Sequence, residues 1–296
     1  MTYDQKWLPV LGLVVLTLIW GYNWVVMKTV MNFCGPFSFA AMRAVIASLV
    51  LFAVAGASGR SLSPGSFKGV LLLGLLQTTG FFGFSIWALV SGGAGKTAVL
   101  VYTMPFWVLV LAWPLLGERM YGWQWLAALF AFAGVICLFH PWQTHPHLPS
   151  TVLACAGGLS WALAGIWNKY FHRRVRVDLL SLNAWQLLIG GIPLVLLALF
   201  ADAQPIEWTP YLLGALVYNA VLATALAWSL WFFALHKMPA GIAGMGTLFV
   251  PVLGALAAWL HLGEVPAFWE AVGMLLIFCG LALLSGISII SVRKSL

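Results

Sequence analysis

The chain has 296 residues, 63% of them hydrophobic and 7% charged, whereas an ordinary soluble domain carries about 25% charged residues. So few charges cannot form the polar shell that a soluble enzyme of this size needs, and a mean hydropathy of +1.01 makes lipid the solvent. A net charge of +7 would suggest nucleic acid in a soluble protein, but here the basic residues act as orientation signals and no nucleic-acid partner is expected.

A hydrocarbon core of about 30 Å takes about 20 helical residues to cross, so the length admits about ten crossings joined by short turns. Apolar runs between Gly, Pro and charged residues predict helices at 7–30, 36–57, 67–90, 94–116, 121–140, 149–171, 178–201, 208–235, 240–262 and 266–290. The runs are too long for membrane strands and lack their alternation, so the expected fold class is an all-α integral membrane protein. The first run exceeds a signal-peptide core and has no small-residue cleavage site behind it, so it is read as a retained membrane helix. Cys34, Cys137, Cys155 and Cys279 lack C-x-x-C spacing and indicate neither a disulfide framework nor a zinc site.

Orientation follows from the basic residues. With a cytoplasmic N-terminus the inner side receives Lys6, Arg60, Lys68, Arg119, Arg173, Arg174, Arg176, Lys237, Arg293 and Lys294, while the turns at 140–149 and 202–207 have no Lys or Arg. This asymmetry predicts a multi-pass protein of the cell membrane with both termini cytoplasmic.

The sequence also repeats itself. Trp20 to Lys28 and Trp161 to Lys169 share one Trp-to-Lys spacing. Ala94-Gly95, Pro105, Trp113 and Leu116-Gly117-Glu118 map at a single fixed offset onto Ala240-Gly241, Pro251, Trp259 and Leu262-Gly263-Glu264, and Trp123 and Gly134 map likewise onto Trp269 and Gly280. An odd number of helices per half places the second half upside down in the membrane. The expected domains are therefore two inverted five-helix repeats, 1–147 and 148–296, around a central cavity, an arrangement that serves alternating access.

The Trp early in each half and the matching spacings from Pro105 to Glu118 and from Pro251 to Glu264 resemble the EamA branch of the drug/metabolite transporter superfamily, over nearly the whole chain. Within it the chain looks most similar to YddG-type exporters of aromatic and other amino acids. That resemblance implies a basket of ten helices around a cavity opening alternately to each side.

The chemistry of such a cavity can be read from residue types. The seven acids fall in loops or near helix ends, so no midplane carboxylate is expected as a proton carrier, and facilitated transport follows. The candidate substrate-binding residues are Trp20, Asn23, Gln77, Phe81, Tyr102, Trp161, Trp167, Asn168, Tyr218 and Trp228. Rings of this kind hold an ammonium over their faces and the amides receive a carboxylate, which suits a small neutral or zwitterionic metabolite. Trp at helix ends more often anchors at the interface, and Asn or Gln in a span more often bonds another helix. Tyr102 lies one turn before Pro105, which is expected to bend its helix where a cavity needs it. Arg43, the one cation with mid-span character, is read as snorkelling or pairing with a carbonyl, with a substrate-carboxylate role as the alternative.

Lys28 with Glu264, and their repeat mates Lys169 with Glu118, are gating candidates at opposite ends of the bundle. The plainer reading is that Glu118 and Glu264 begin the helices after them, where the dipole favours an acid. The run Ser91 to Thr97 resembles the end of a Walker A loop, but Val90 stands where its first glycine is required. The histidines sit at helix ends or in the turn His140 to His147 and are read as structural. No cofactor, metal or catalytic residue is expected. The expected function is export of a small metabolite, amino acids including aromatic ones, by a monomer embedded in the bilayer; the alternatives are a membrane-embedded transferase acting on lipid-linked substrates, a proton-coupled drug exporter, and a noncatalytic membrane partner.

Overall fold

The computed structural model describes residues 8–117, 122–139, 148–172, 174–175, 177–231, 247 and 249–294. Within them the chain forms α1 (Leu8–Val30), α2 (Pro36–Ala57), α3 (Phe67–Ser91), α4 in two pieces (Ala94–Val101 and Met104–Leu116), α5 (Trp123–Phe139), α6 (Leu148–His172), α7 (Leu179–Ala201), α8 (Pro210–Trp231), α9 (Phe249–Leu262) and α10 (Phe268–Lys294). Seven of these stretches have the length and hydropathy to cross a bilayer, and Trp123–Phe139, Phe249–Leu262 and Phe268–Leu284 are shorter apolar helices. The last two helices are expected from residues 240 and 266; the second starts at Phe268, and the start expected at 240 lies outside the described residues, within which that helix runs from Phe249.

The helix ends follow ordinary capping physics. Pro36 opens α2 from the first turn, where its missing N–H costs nothing. The Asp202 carboxylate, from the segment after α7, accepts from Phe37 N at 3.4 Å and Ser38 N at 2.6 Å and so caps α2 from across the bundle. Asp178 caps α7, accepting from Leu180 N at 2.9 Å and Ser181 N at 3.3 Å, and its second oxygen meets the Arg60 guanidinium at 3.1 Å. In the turn between α1 and α2, burial and the nearby Asp202 carboxylate push the Cys34 thiol up to about 12, so it carries no reactive thiolate at neutral pH. All four cysteines are unpaired.

Helix α4 breaks at Tyr102–Thr103, ahead of Pro105. Pro105 has no N–H to offer the carbonyl one turn back, so the ladder stops at Val101 and the chain restarts at Met104. The Thr103 hydroxyl closes the break by donating to Leu100 O at 2.6 Å.

Two helices contain a feature without any sequence signature in the expected pattern. Residues Gly74–Gly80 of α3 and Tyr218–Leu226 of α8 are π-helical, with wider turns that reset the faces of the helix. Neighbouring side chains bond the carbonyls of both: Ser160 donates to Leu76 O at 2.8 Å, and Trp20 donates to Ala223 O at 2.8 Å. Such segments recur at functional sites.

Helix–helix packing relies on small residues. α5 lies against α10, α2 against α7, α1 against α9 and α4 against α6. A Cβ on Gly134 would stand 2.6 Å from the Gly273 carbonyl oxygen, and one on Gly273 would stand 2.7 Å from that of Gly134, so α5 and α10 cross backbone to backbone. Large apolar side chains face outward, Phe200 being 87% exposed and Leu199 72%, as lipid permits and water does not.

Candidate functional site

The helices meet around a cavity lined by Trp20, Asn23, Trp24 and Met27 of α1, Arg43 of α2, Phe81, Phe82 and Ser85 of α3, Tyr102 at the α4 break, Trp161 of α6, and Ala223 and Trp228 of α8. Six of the residues expected to bind substrate are therefore together: Trp20, Asn23, Phe81, Tyr102, Trp161 and Trp228. Their rings form a connected cluster. Trp161 stacks on Phe81 with centroids 4.8 Å apart, and presents edges to Tyr102 at 5.5 Å and Trp228 at 6.3 Å. Trp228 in turn meets Trp20 at 5.4 Å. The π-helical segment of α8 brings Ala223 to the Trp20 indole while Trp228 turns into the cluster, which is one structural use of the reset face.

The other four expected residues sit elsewhere. Gln77 lines a small adjoining cavity with Asn183, Gln186 and Thr224, and Phe82 and Trp228 wall both spaces. The Tyr218 hydroxyl donates to Ile19 O at 2.6 Å, tying α8 to α1. The Trp167 indole donates to Gly69 O at 2.9 Å and tilts against Tyr170, tying α6 to α3. Asn168 is half-buried beside it on α6 and lines neither cavity.

Phe82, Ser85 and Met27 were not singled out in the sequence. A one-turn walk along each helix finds two of them, since Ser85 follows Phe81 and Met27 follows Asn23 at helical spacing.

Arg43 corrects its expected reading. It is 6% exposed, so it does not snorkel. Its Nη1 donates to the Met27 sulfur at 3.1 Å and its guanidinium carbon lies 3.9 Å from the centre of the Phe82 ring. Among the described residues no carboxylate or carbonyl pairs with it. Retaining an arginine within a membrane span costs about 2.5–3.5 kcal/mol on insertion scales, and a thioether and a ring face offset only part of that. Asn23 and Ser85 are buried as well, and the Asn23 Oδ1 and Ser85 Oγ have no hydrogen-bond partner among the described residues. The cavity thus combines a five-ring cluster with three polar side chains that retain unused bonding capacity.

About 50 Å³ of the cavity is open to the centre of a water molecule, room for about three to five waters. Any solute larger than a few waters therefore needs the rings to spread.

At one end of the bundle, Lys28 and Glu264 grip the turn between α3 and α4. The Lys28 amine donates to Leu89 O at 2.6 Å and Gly92 O at 2.9 Å, where the α3 dipole is negative. The Glu264 carboxylate accepts from Ala94 N at 2.9 Å and Gly95 N at 3.1 Å, capping α4. The helix-dipole reading of Glu264 is thus right in kind but not in partner: Glu270 occupies the first turn of α10, and Glu264 serves a helix from the other half of the sequence. Lys96 pairs with Glu270 at 3.1 Å nearby. Lys169 is exposed near the end of α6, and Glu118 lies outside the described residues. Glu264→Ala leaves two helix N–H groups unbonded and is expected to cost about 1–2 kcal/mol, whereas Glu264→Gln keeps an acceptor and costs less; thermal unfolding in detergent should rank wild type, then Gln, then Ala.

Apolar helices of membrane-crossing length, lipid-suited outer faces and an aromatic cavity between them define a multi-pass membrane protein with an internal binding space. The chain belongs to the EamA-like transporter family, which it matches over residues 7–140 and 148–286. It is 31% identical over 277 residues to the uncharacterized transporter YoaV of Bacillus subtilis (strain 168), covering 92% of this chain and 94% of that one. It is 29% identical over 287 residues to a probable amino-acid metabolite efflux pump of Escherichia coli (strain K12), covering 92% of each. A solved crystal structure shares the fold, with a TM-score of 0.68 at 20% identity over 95% of this chain and 98% of that one. The protein is a membrane transporter.

Proposed function

We propose that the protein exports amino acids and closely related zwitterionic metabolites, aromatic ones among them as in YddG-type exporters, from the cytoplasm across the cell membrane. Two inverted five-helix halves, 1–147 and 148–296, would rock about the central cavity as a monomer, with both termini cytoplasmic. The observation that carries this reading is the cavity itself, because side chains from α1, α3, α4, α6 and α8 close one aromatic ring cluster around it, with Arg43 of α2 on its wall. Further support comes from packing: α1 on α9 and α6 on α4 are repeat-related pairs, and the π-helical segments lie in α3 and α8, which are repeat mates. Two successive matches to one family and the efflux relative's description favour the same reading.

Transport in this scheme needs no buried proton carrier. The described carboxylates, Asp178, Asp202, Glu207, Glu264 and Glu270, stand in loops, at helix ends or in a first turn. Flux then follows the substrate gradient. The test is counterflow in proteoliposomes, where unlabelled amino acid preloaded inside should accelerate uptake of labelled amino acid with the pH gradient collapsed and again with it reversed. Absence of counterflow across a panel of amino acids would refute the substrate assignment, and strict dependence on the pH gradient would refute the facilitative mechanism.

A further inference from the structure

We infer that Arg43 is the carboxylate anchor of the binding cavity, so that a substrate must present one carboxylate beside one ammonium. The inference rests on the export reading above and specifies its substrate class. A guanidinium has five N–H donors in a fixed fork. Here one nitrogen meets a methionine sulfur, a ring face covers the group, and the buried Nε has no partner among the described residues. No carboxylate among the described residues neutralises it. A buried cation left in this state on a cavity wall is suited to receive an anion that none of the described residues supplies.

The neighbouring groups match the rest of a zwitterion. Met27 and Phe82, the two residues against Arg43, are each one turn from an unpartnered polar group: Asn23 precedes Met27 on α1, and Ser85 follows Phe82 on α3. All three polar residues line the same cavity. A carboxylate taking two parallel bonds from the guanidinium can accept a third from the Ser85 hydroxyl. The ammonium on the adjacent carbon can donate to the Asn23 Oδ1, and the side chain then falls among Trp20, Phe81, Tyr102, Trp161 and Trp228. One fixed cation matches one carboxylate, so an amine or an amide lacks the anchoring group, and a sugar nucleotide brings more negative charge than the cavity neutralises.

The test compares three probes of one side chain, L-phenylalanine, L-phenylalaninamide and phenethylamine, as competitors of labelled L-phenylalanine counterflow by the wild-type protein, and by quenching of its intrinsic tryptophan fluorescence. The acid should compete at least tenfold more strongly than the amide or the amine. Arg43→Gln should remove that preference by weakening the acid alone, and Arg43→Lys should restore part of it. Equal competition by all three probes overturns the anchor while leaving export of small metabolites through this cavity intact; failure of all three probes, L-phenylalanine included, to bind or move overturns the export reading as well. The wild-type series decides the matter even if Arg43→Gln is not recovered as folded protein.

Discussion

Trp161→Ala should reduce amino-acid counterflow at least tenfold while leaving a folded, monodisperse protein. Trp161 is the node of the ring cluster, stacked on Phe81 at 4.8 Å and edge-on to both Tyr102 and Trp228. Aromatic pairs contribute about 0.5–1.5 kcal/mol each beyond their buried area, and about 1.4 kcal/mol is a factor of ten in an equilibrium constant. Losing the node removes three such contacts and the ring face a substrate would use. Trp161→Phe keeps the stack on Phe81 but shortens the edges, so an intermediate rate is expected. The control lies on the same helix. Trp167 bonds Gly69 O and packs α6 on α3 away from the cavity, so Trp167→Phe should lower the unfolding temperature without changing which amino acids compete. Equal loss of transport from both substitutions would mean that the cluster acts as scaffold only.

Much of the fold was readable because lipid imposes a simple rule. Wherever an apolar run meets Pro, Gly or charge, backbone groups can leave the helix without being stranded in hydrocarbon. Hence 36–57 and 178–201 were placed within a residue of the observed α2 and α7. The break in α4 was foreseen near Pro105 but occurs earlier, because the proline withholds a donor from the carbonyl one turn back. The π-helical segments were invisible, since nothing local in Gly74–Gly80 demands a wider turn; neighbouring helices hold it there through Ser160 and Gly190.

The site divides along a similar line. Residue type identifies a ring or an amide but not whether its polar atom finds a carbonyl on a distant helix. Trp20 and Trp167 both donate to backbone oxygens, yet one lines the cavity and the other does not. Glu264 shows the limit most clearly, because its partners Ala94 and Gly95 come from the opposite half of the chain. Local reading could assign it a helix dipole but not the helix.

Gly190→Ala should destabilise the protein by about 3 kcal/mol, at the upper end of overpacking costs, and should disturb the cavity although Gly190 does not line it. At this crossing α7 and α3 touch backbone to backbone. A Cβ on Gly190 would run into the Gly74 carbonyl, with the Thr78 Cβ at 2.6 Å, and a Cβ on Gly74 would stand 2.8 Å from Gln186 O and 3.0 Å from Gly190 N. None of those neighbours is the free end of a flexible side chain, so the helices must separate. Separation also breaks the bond from the Thr79 hydroxyl to Gly190 O at 2.6 Å, which holds the π-helical turn of α3. That turn sets the facing of Gln77 and of Phe81 just beyond it. An unfolding temperature lower by on the order of 10 °C, together with weakened substrate competition, is therefore expected from one added methyl group. Gly165→Ala and Gly214→Ala supply the contrast, because a Cβ at either meets nothing within 4 Å, and replacing an unconstrained helical glycine should stabilise by about 0.5–1 kcal/mol. If Gly190→Ala unfolds no earlier than these two, the backbone contact between α3 and α7 does not hold the π-helical turn in place.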